Sequence, residues 1–348
     1  MLTDQSDVVI GVDTHAERHA LALLEAGTAR TLAFAEVAAC REGYREALRI
    51  ARRRAQAGRV WALEGSGSYG AGLARFLAAR GERVLEVERP PAQGPRGRQK
   101  ADALDAERAA RAVLSGLAGS VPRRGEAREA LRQLLVTREG AVAVRRAGLN
   151  ELRALLLTAP EPLRERLRRL SRGALLARCA ALRPDRRGGL ERFASALALR
   201  SCARRVRAAS AEAAALEREI ERLVGRLAPA LLAQPEIGPV SAAALLLAWS
   251  HPGRLRSEAA FARLAGAAPI PASSGKVVRV RLDRGGDRRL NRALHTIVLS
   301  RRKHHPPTIA YIERRRSEGK SLREAIRCLK RYLARSLFRL LEGLPEPA

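Results

Sequence analysis

The chain opens on DVVIGVD (residues 7–13), an apolar run that ends in an acid. Such a run predicts a buried strand with a carboxylate at its end. HALALLEAG and TARTLAFAEV follow, with alternating or β-rich patterns and glycine-containing breaks, and predict a short antiparallel meander. REGYREALRIARRRAQA then has helical period, with Tyr44, Leu48 and Ala51 on one face. RVWALEG (59–65) predicts a second strand ending in an acid, SYGAGLARFLAAR a helix and ERVLEVE a further strand. PPAQGPRGRQ (90–99) reads as a loop and ADALDAERAARAVLSG as a helix.

The resulting order, β-β-β-α-β-α-β-loop-α to about Gly116, predicts a ribonuclease-H-like α/β domain: a mixed sheet with helices on both faces. From about residue 121 the pattern turns helical. Leu135, Val142, Leu149, Leu152 and Leu156 form one seam; Val206, Ala209, Ala213, Leu216, Ile220, Leu223 and Leu227 form another. Two amphipathic helices with coiled-coil-like seams, arranged as an antiparallel hairpin, are the simplest reading. Near Pro229 a third region begins. There Gly238 and Pro239 feed a helix of small residues, as in half of a helix-hairpin-helix. The division predicted is 1–118 (α/β), 119–228 (helical coiled coil) and 229–348 (mainly α), in keeping with a length of 348 residues.

Composition narrows the partners. The net charge is +30, from 66 Lys and Arg against 36 Asp and Glu. An excess of that size points to a polyanion, with nucleic acid first. Most of the excess is arginine, which grips phosphate through two parallel donors. Aromatics are only 3%, so Ala, Leu and Val must carry the packing. The four cysteines, Cys40, Cys179, Cys202 and Cys328, are scattered without metal-ligand spacing, which fits a reducing cytoplasm. The start lacks the pattern of a signal peptide, and no apolar run reaches membrane-spanning length.

Four acids are the leading candidates for chemistry. Asp13 and Glu64 sit at the ends of strands that neighbour each other in a ribonuclease-H-like sheet. Asp102 and Asp105 are three apart at a helix start and share a face. Clustered carboxylates repel and persist where a divalent cation neutralises them. Mg²⁺, with Mn²⁺ as a substitute, suits carboxylate oxygens and phosphate, and assists phosphodiester cleavage. Any one of these acids alone reads better as a solvated turn cap; four of them on this fold order shift the balance. His15, two residues after Asp13, is placed to touch metal or phosphate; His251 and His295 read as structural.

Ser273 and Ser274 lie in a loop flanked by Lys276, Arg279 and Arg281, where a hydroxyl can meet a phosphate. A polar turn is the plainer reading of Ser-Ser-Gly. There is no GxxxxGK[ST] stretch, which disfavours a P-loop ATPase. A sugar-kinase or actin-like ATPase shares the Gly-x-Asp-Thr strand end, but its second phosphate loop and adenosine glycine motif are not found.

GVDTH (11–15), LEGSGSYG (63–70), KADALDAE (100–107), EIGPVSAAALLLA (236–248), the ASSGK loop and LDRGGDRRLNRAL (282–294) together resemble the DEDD transposases of bacterial insertion sequences, relatives of the pilin-gene invertase. The resemblance runs over roughly residues 7 to 342. It implies a RuvC-like amino-terminal domain, a coiled-coil middle and a carboxy-terminal transposase domain. It also implies a metal-binding role for Asp13, Glu64, Asp102 and Asp105. It assigns a serine that becomes transiently linked to DNA, matched best by Ser274, with Ser273 as the alternative.

The same resemblance implies DNA and an element-encoded structured guide RNA as partners, and a homo-oligomer, dimer or tetramer, whose subunits share sites. Lys100, Lys276, Arg279, Arg281, Arg284 and Arg288 are the expected nucleic-acid contacts. Leu-Asp-Arg-Gly-Gly replaces the usual Ser/Thr-Lys-Arg-Gly stretch of relatives, with Arg284 and Arg288 supplying its charge. A hydrolytic junction-resolving nuclease and an inactive nucleic-acid-binding relative are the rival readings.

Overall fold

The computed structural model describes residues 6–56, 58–87, 102–116, 119–271, 280–281, 283 and 285–344. The predicted loop at 90–99, Lys100, Ser273, Ser274, Lys276, Arg279 and Arg284 lie outside the described residues. The chain divides into two compact units, Met1–Arg124 and Gly125–Ala348.

In the first unit, strands β1 (Val8–Thr14), β2 (Arg18–Glu25), β3 (Thr31–Ala38), β4 (Arg59–Glu64) and β5 (Arg83–Val87) form one sheet in the order β3-β2-β1-β4-β5. β1 pairs antiparallel with β2, β2 antiparallel with β3, and β4 runs parallel to both β1 and β5. The mixed sheet is consistent with a ribonuclease-H-like domain. Helices α1 (Arg41–Arg54) and α2 (Ala71–Ala78) cover one face, and α3 (Asp102–Leu114) covers the other.

Strand periodicity sorts β1 between these faces. Val8, Ile10 and Val12 pack with Leu48 of α1 and Leu73 and Leu77 of α2, while Val9 packs with Ala106, Ala109 and Ala110 of α3. β1 is buried on both sides, which explains why its sequence is an unbroken apolar run. Gly11 belongs to the α3 face. A methyl group there would lie 1.9 Å from the Ala106 carbonyl oxygen. Bare backbone at Gly11 and small residues on α3 therefore let helix and strand approach closely.

Among the described residues, the regular elements of the second unit are helices apart from a two-stranded pair, β6 (Ile270–Pro271) and β7 (Val280–Arg281). Two long helices, α4 (Glu126–Leu157) and α7 (Leu190–Leu227), lie antiparallel. Arg138 pairs with Glu217 at 2.7 Å near one end, and Arg205 pairs with Glu151 near the other. Short helices α5 (Glu161–Arg168) and α6 (Arg172–Ala180) connect them. After α8 (Pro229–Leu232), helix α9 (Pro239–Trp249) is buried from Ala242 to Trp249 and hydrophobic all round, as expected of a helix through a core. Helices α10 (Glu258–Leu264), α11 (Arg288–His304), α12 (Pro306–Ser317) and α13 (Leu322–Glu342) complete the unit. Phe261 of α10 meets Phe338 of α13 at 5.7 Å between ring centres, and Glu258 binds Arg339 of α13 at 2.6 Å.

Candidate metal centre and its cleft

Asp13 is on the same face of β1 as Val9 and Gly11, by strand alternation. It is the only acid among the buried polar residues described, with 4% of its surface exposed. A buried carboxylate needs a countercharge or donors. Its described partner is His15, whose Nε2 lies 3.1 Å from Asp13 Oδ2. The turn that follows β1 places this ring: the His15 amide donates to the Arg18 carbonyl at 3.1 Å, closing the chain back into β2.

The second acid arrives on α3. Asp102 is its first residue, one turn before Ala106, the residue that rests on Gly11. His15 Nε2 is 3.5 Å from Asp102 Oδ1. Asp13, His15 and Asp102 thus converge, each offering one ligand atom within 4.8 Å of the others. Asp13 is buried while His15 and Asp102 are exposed, so the group has a closed floor and an open mouth. The set is chemically fit for a divalent cation. Two carboxylates supply charge and hard oxygen, and an imidazole nitrogen adds a ligand more congenial to Mn²⁺ than to Mg²⁺.

Glu64 and Asp105 stand beside this group rather than in it. Glu64 ends β4, and the register Val12↔Leu63 makes it the next cross-strand neighbour of Asp13. Neighbouring strands are about 4.8 Å apart. Alternation puts Glu64 on the α3 face with Val60 and Ala62. Thr14 ties the two strand ends together, its Oγ1 donating to the Glu64 carbonyl at 2.8 Å. Asp105 accepts a hydrogen bond from Arg108 at 2.6 Å.

A cleft of about 730 Å³ opens beside the group, lined by His15, Arg18, Phe34, Glu36, Tyr69 and Asp102 among others. Two aromatic side chains are exposed in it: Phe34 (51%) on β3 and Tyr69 (62%) in the turn after β4. The residue pattern places both segments but assigns neither ring a role. An alternating strand shows which face a residue shares, not whether that face is covered at the sheet edge. On the opposite face His19 is buried and stacks on Tyr44 at 5.8 Å between ring centres; burial lowers its basicity.

Arg281 is exposed at the end of β7, and Arg288 is exposed at the start of α11. His251 is buried, with Nδ1 3.1 Å from Ser250 Oγ, as a structural histidine should be. Among the described residues no helix is long and apolar enough to cross a membrane.

Comparison with known proteins gives two family matches. Residues 10–159 match the IS110-type DEDD family described as Transposase, and residues 228–313 match the Transposase IS116/IS110/IS902 family. The "Insertion element IS110 uncharacterized 43.6 kDa protein" of Streptomyces coelicolor is 32% identical over 130 residues, 36% of this chain. The aligned part spans 32% of that relative's length.

Proposed function

Because the chain belongs to the DEDD transposase family of IS110-type insertion elements, we propose that it is a DNA transposase, cutting and rejoining the strands of an insertion element. The observation that carries this reading is the meeting of Asp13, His15 and Asp102 at the mouth of an open cleft. Glu64 and Asp105 join Asp13 and Asp102 as the four acids of the site. They would hold a divalent cation, Mg²⁺ with Mn²⁺ as a substitute. When bound, the cation neutralises phosphate charge and polarises the scissile P–O bond.

In this reading the chain's own groups divide the remaining work. Asp13 and Asp102 would supply oxygen ligands to that cation. Phe34 and Tyr69 offer ring faces on which bases can stack. Ser274, or its neighbour Ser273, is the nucleophile. Its Oγ forms a bond to phosphorus as the bond to the sugar oxygen breaks, and that oxygen takes up a proton. A sugar hydroxyl of the joining strand then attacks the same phosphorus, and serine leaves with a proton. The ester keeps the energy of the broken bond, so strands are exchanged without an external source. Lys100, Lys276, Arg279, Arg281, Arg284 and Arg288 contact backbone phosphates.

The wider expectations belong to the same proposal. The 1–118, 119–228 and 229–348 regions act as catalytic, coiled-coil and serine-bearing parts. The α4–α7 pair serves as the coiled-coil arm of a homo-oligomer, and a structured RNA selects the DNA. The test is to incubate the protein with element-end DNA and Mg²⁺, then look for a covalent protein–DNA species after denaturation. Asp13→Asn and Ser274→Ala should each abolish it. An undiminished adduct with both serines replaced by alanine would overturn the serine assignment. Nicking without joining, unaffected by that replacement, would make the protein a nuclease.

A further inference from the structure

Away from the carboxylates, the second unit contains a basin of about 590 Å³ between α11 and α13. Arg288, Arg292 and His295 line it from α11; Arg323, Arg327 and Lys330 line it from α13. Both sets are spaced i, i+4, i+7, so each forms one row along a helix face. Such a row spans about 10 Å. Where two helices meet, that spacing ordinarily carries apolar residues. Here the helices that share Leu290, Leu294, Ile326 and Leu333 in one core turn two rows of cations toward a common space.

Few carboxylates answer these charges. Among the described residues, none comes within ion-pair distance of Arg288, Arg323, Arg327 or Lys330, while Arg292 has Glu139 at 3.8 Å. Asp283 lines the basin but accepts the Gly285 amide at 2.8 Å. Glu324, one turn before Arg327, feels that arginine's charge but hydrogen-bonds the Ser321 cap of α13. Burial, and then Arg327, hold the Lys330 ammonium below its ordinary range; burial, and then Lys330, do the same to the His295 imidazole.

The basin is also fixed in shape. Lys330 Nζ donates to Asn291 Oδ1 at 2.6 Å, and Asn291 Nδ2 donates to the Ala265 carbonyl at 2.6 Å. One asparagine thereby links the end of α10, the start of α11 and the middle of α13. The preceding loop allows no side chain at Gly286. Its φ is +83°, and a methyl group would lie 2.5 Å from the Leu264 carbonyl oxygen. Asp287 then caps α11, accepting the Arg289 and Leu290 amides at 2.9 and 3.0 Å.

We propose that the basin between α11 and α13 is a phosphate-binding site that seats the phosphodiester backbone of a nucleic-acid strand. Arranged like charges that lack acidic partners raise the free energy of the empty fold. A phosphate relieves that repulsion, and arginine forks satisfy its oxygens two at a time. The site lies apart from Asp13 and Asp102 in sequence and unit. It shares Arg288 with the proposed function and rests on that reading for the premise that the partner is nucleic acid.

The test is equilibrium binding of the full chain, in EDTA, to a short single-stranded DNA, the matching duplex and RNA of the same sequence. EDTA removes any contribution from cutting, so loss of cleavage and loss of this site are read separately. Arg327→Gln with Lys330→Met should weaken binding roughly ten- to hundredfold. The slope of log K against log salt should shrink by about one per lost contact. Arg323→Gln, at an exposed position on the same row, should reproduce a smaller loss if the double variant folds poorly. Arg207→Gln with Arg218→Gln, on exposed positions of α7, removes the same charge elsewhere and should do less. Loss for DNA, RNA or both identifies the strand seated there. Equal loss in the α7 control, or an unchanged salt slope for every polymer, overturns the proposal.

Discussion

Gly11 and Ala106 meet backbone to backbone: the space a methyl would need at Gly11 is taken by the Ala106 carbonyl oxygen, 1.9 Å away. Asp13 is two residues beyond Gly11 on the same face, and Asp102 is one turn before Ala106. Close packing of one strand on one helix therefore sets the separation of the two acids. Gly11→Ala should push α3 outward. Overpacking of this kind costs about 3 kcal/mol, and urea unfolding should show it. Divalent-cation affinity, followed by Mn²⁺ titration, should fall in the protein that remains folded.

His15 touches both acids, at 3.1 and 3.5 Å. Its replacement separates its role from theirs. His15→Ala should weaken Mn²⁺ binding roughly 10- to 100-fold, the range for lost ligand support. Asp13→Asn should weaken it further. Unaltered Mn²⁺ affinity in His15→Ala would show that the imidazole neither binds nor orients the cation.

How much of this was legible in the sequence depends on what each signal measures. The strand-end acids were legible because the apolar runs VVIGV and VWAL each end on an acid, so Asp13 and Glu64 fell at strand ends. Asp102 was legible as a helix start. That Asp102 meets Asp13 was expected from the resemblance and not from periodicity, which does not report the missing Cβ of Gly11. His15 could be suspected from its neighbour, but the turn that swings it onto Asp102 is a tertiary fact. The cation rows on α11 and α13 read individually as solvent faces. Only the packing of the two helices shows that they look at each other.

Glu82, whose side chain alone is shielded from solvent, gives a stability test. Glu82 accepts bonds from Arg59 at 2.6 and 3.0 Å and from Trp61 Nε1 at 3.0 Å. Burial opposes its charge, but these donors and the charge of Arg59 outweigh it and hold the carboxyl below its usual range. A lowered carboxyl stabilises the fold above the unfolded pKa and loses that contribution as pH falls through the folded one. Glu82→Gln should cost about 3 kcal/mol at neutral pH. The gap in urea midpoint from the parent should close as pH drops below 4.5.

The cysteines offer a labelling test. Cys179 and Cys202 are buried in the cluster between α5, α6 and α7, whereas Cys40 is exposed. Burial, and then Cys202, push the Cys179 thiol up to about 11. At pH 8 about one Cys179 in a thousand is thiolate, and only thiolate reacts. Iodoacetamide should mark Cys40 in the folded chain and reach Cys179 only after denaturation, as read by peptide mass spectrometry. Early labelling of Cys179 would show that the α5–α6 cap opens readily.

The helix that closes over β1, α3, leaves the ribosome after the whole sheet, so Asp102 is made after Asp13 and Glu64. All five strands of the sheet precede α3 in the chain, so a growing polypeptide can carry Asp13 and Glu64 while Asp102 has not yet been made. A copy cut short before α3 would have the sheet's acids without their partner. On the proposed reading, finishing the amino-terminal unit is necessary but not sufficient for cutting DNA, because Ser274 is made later still.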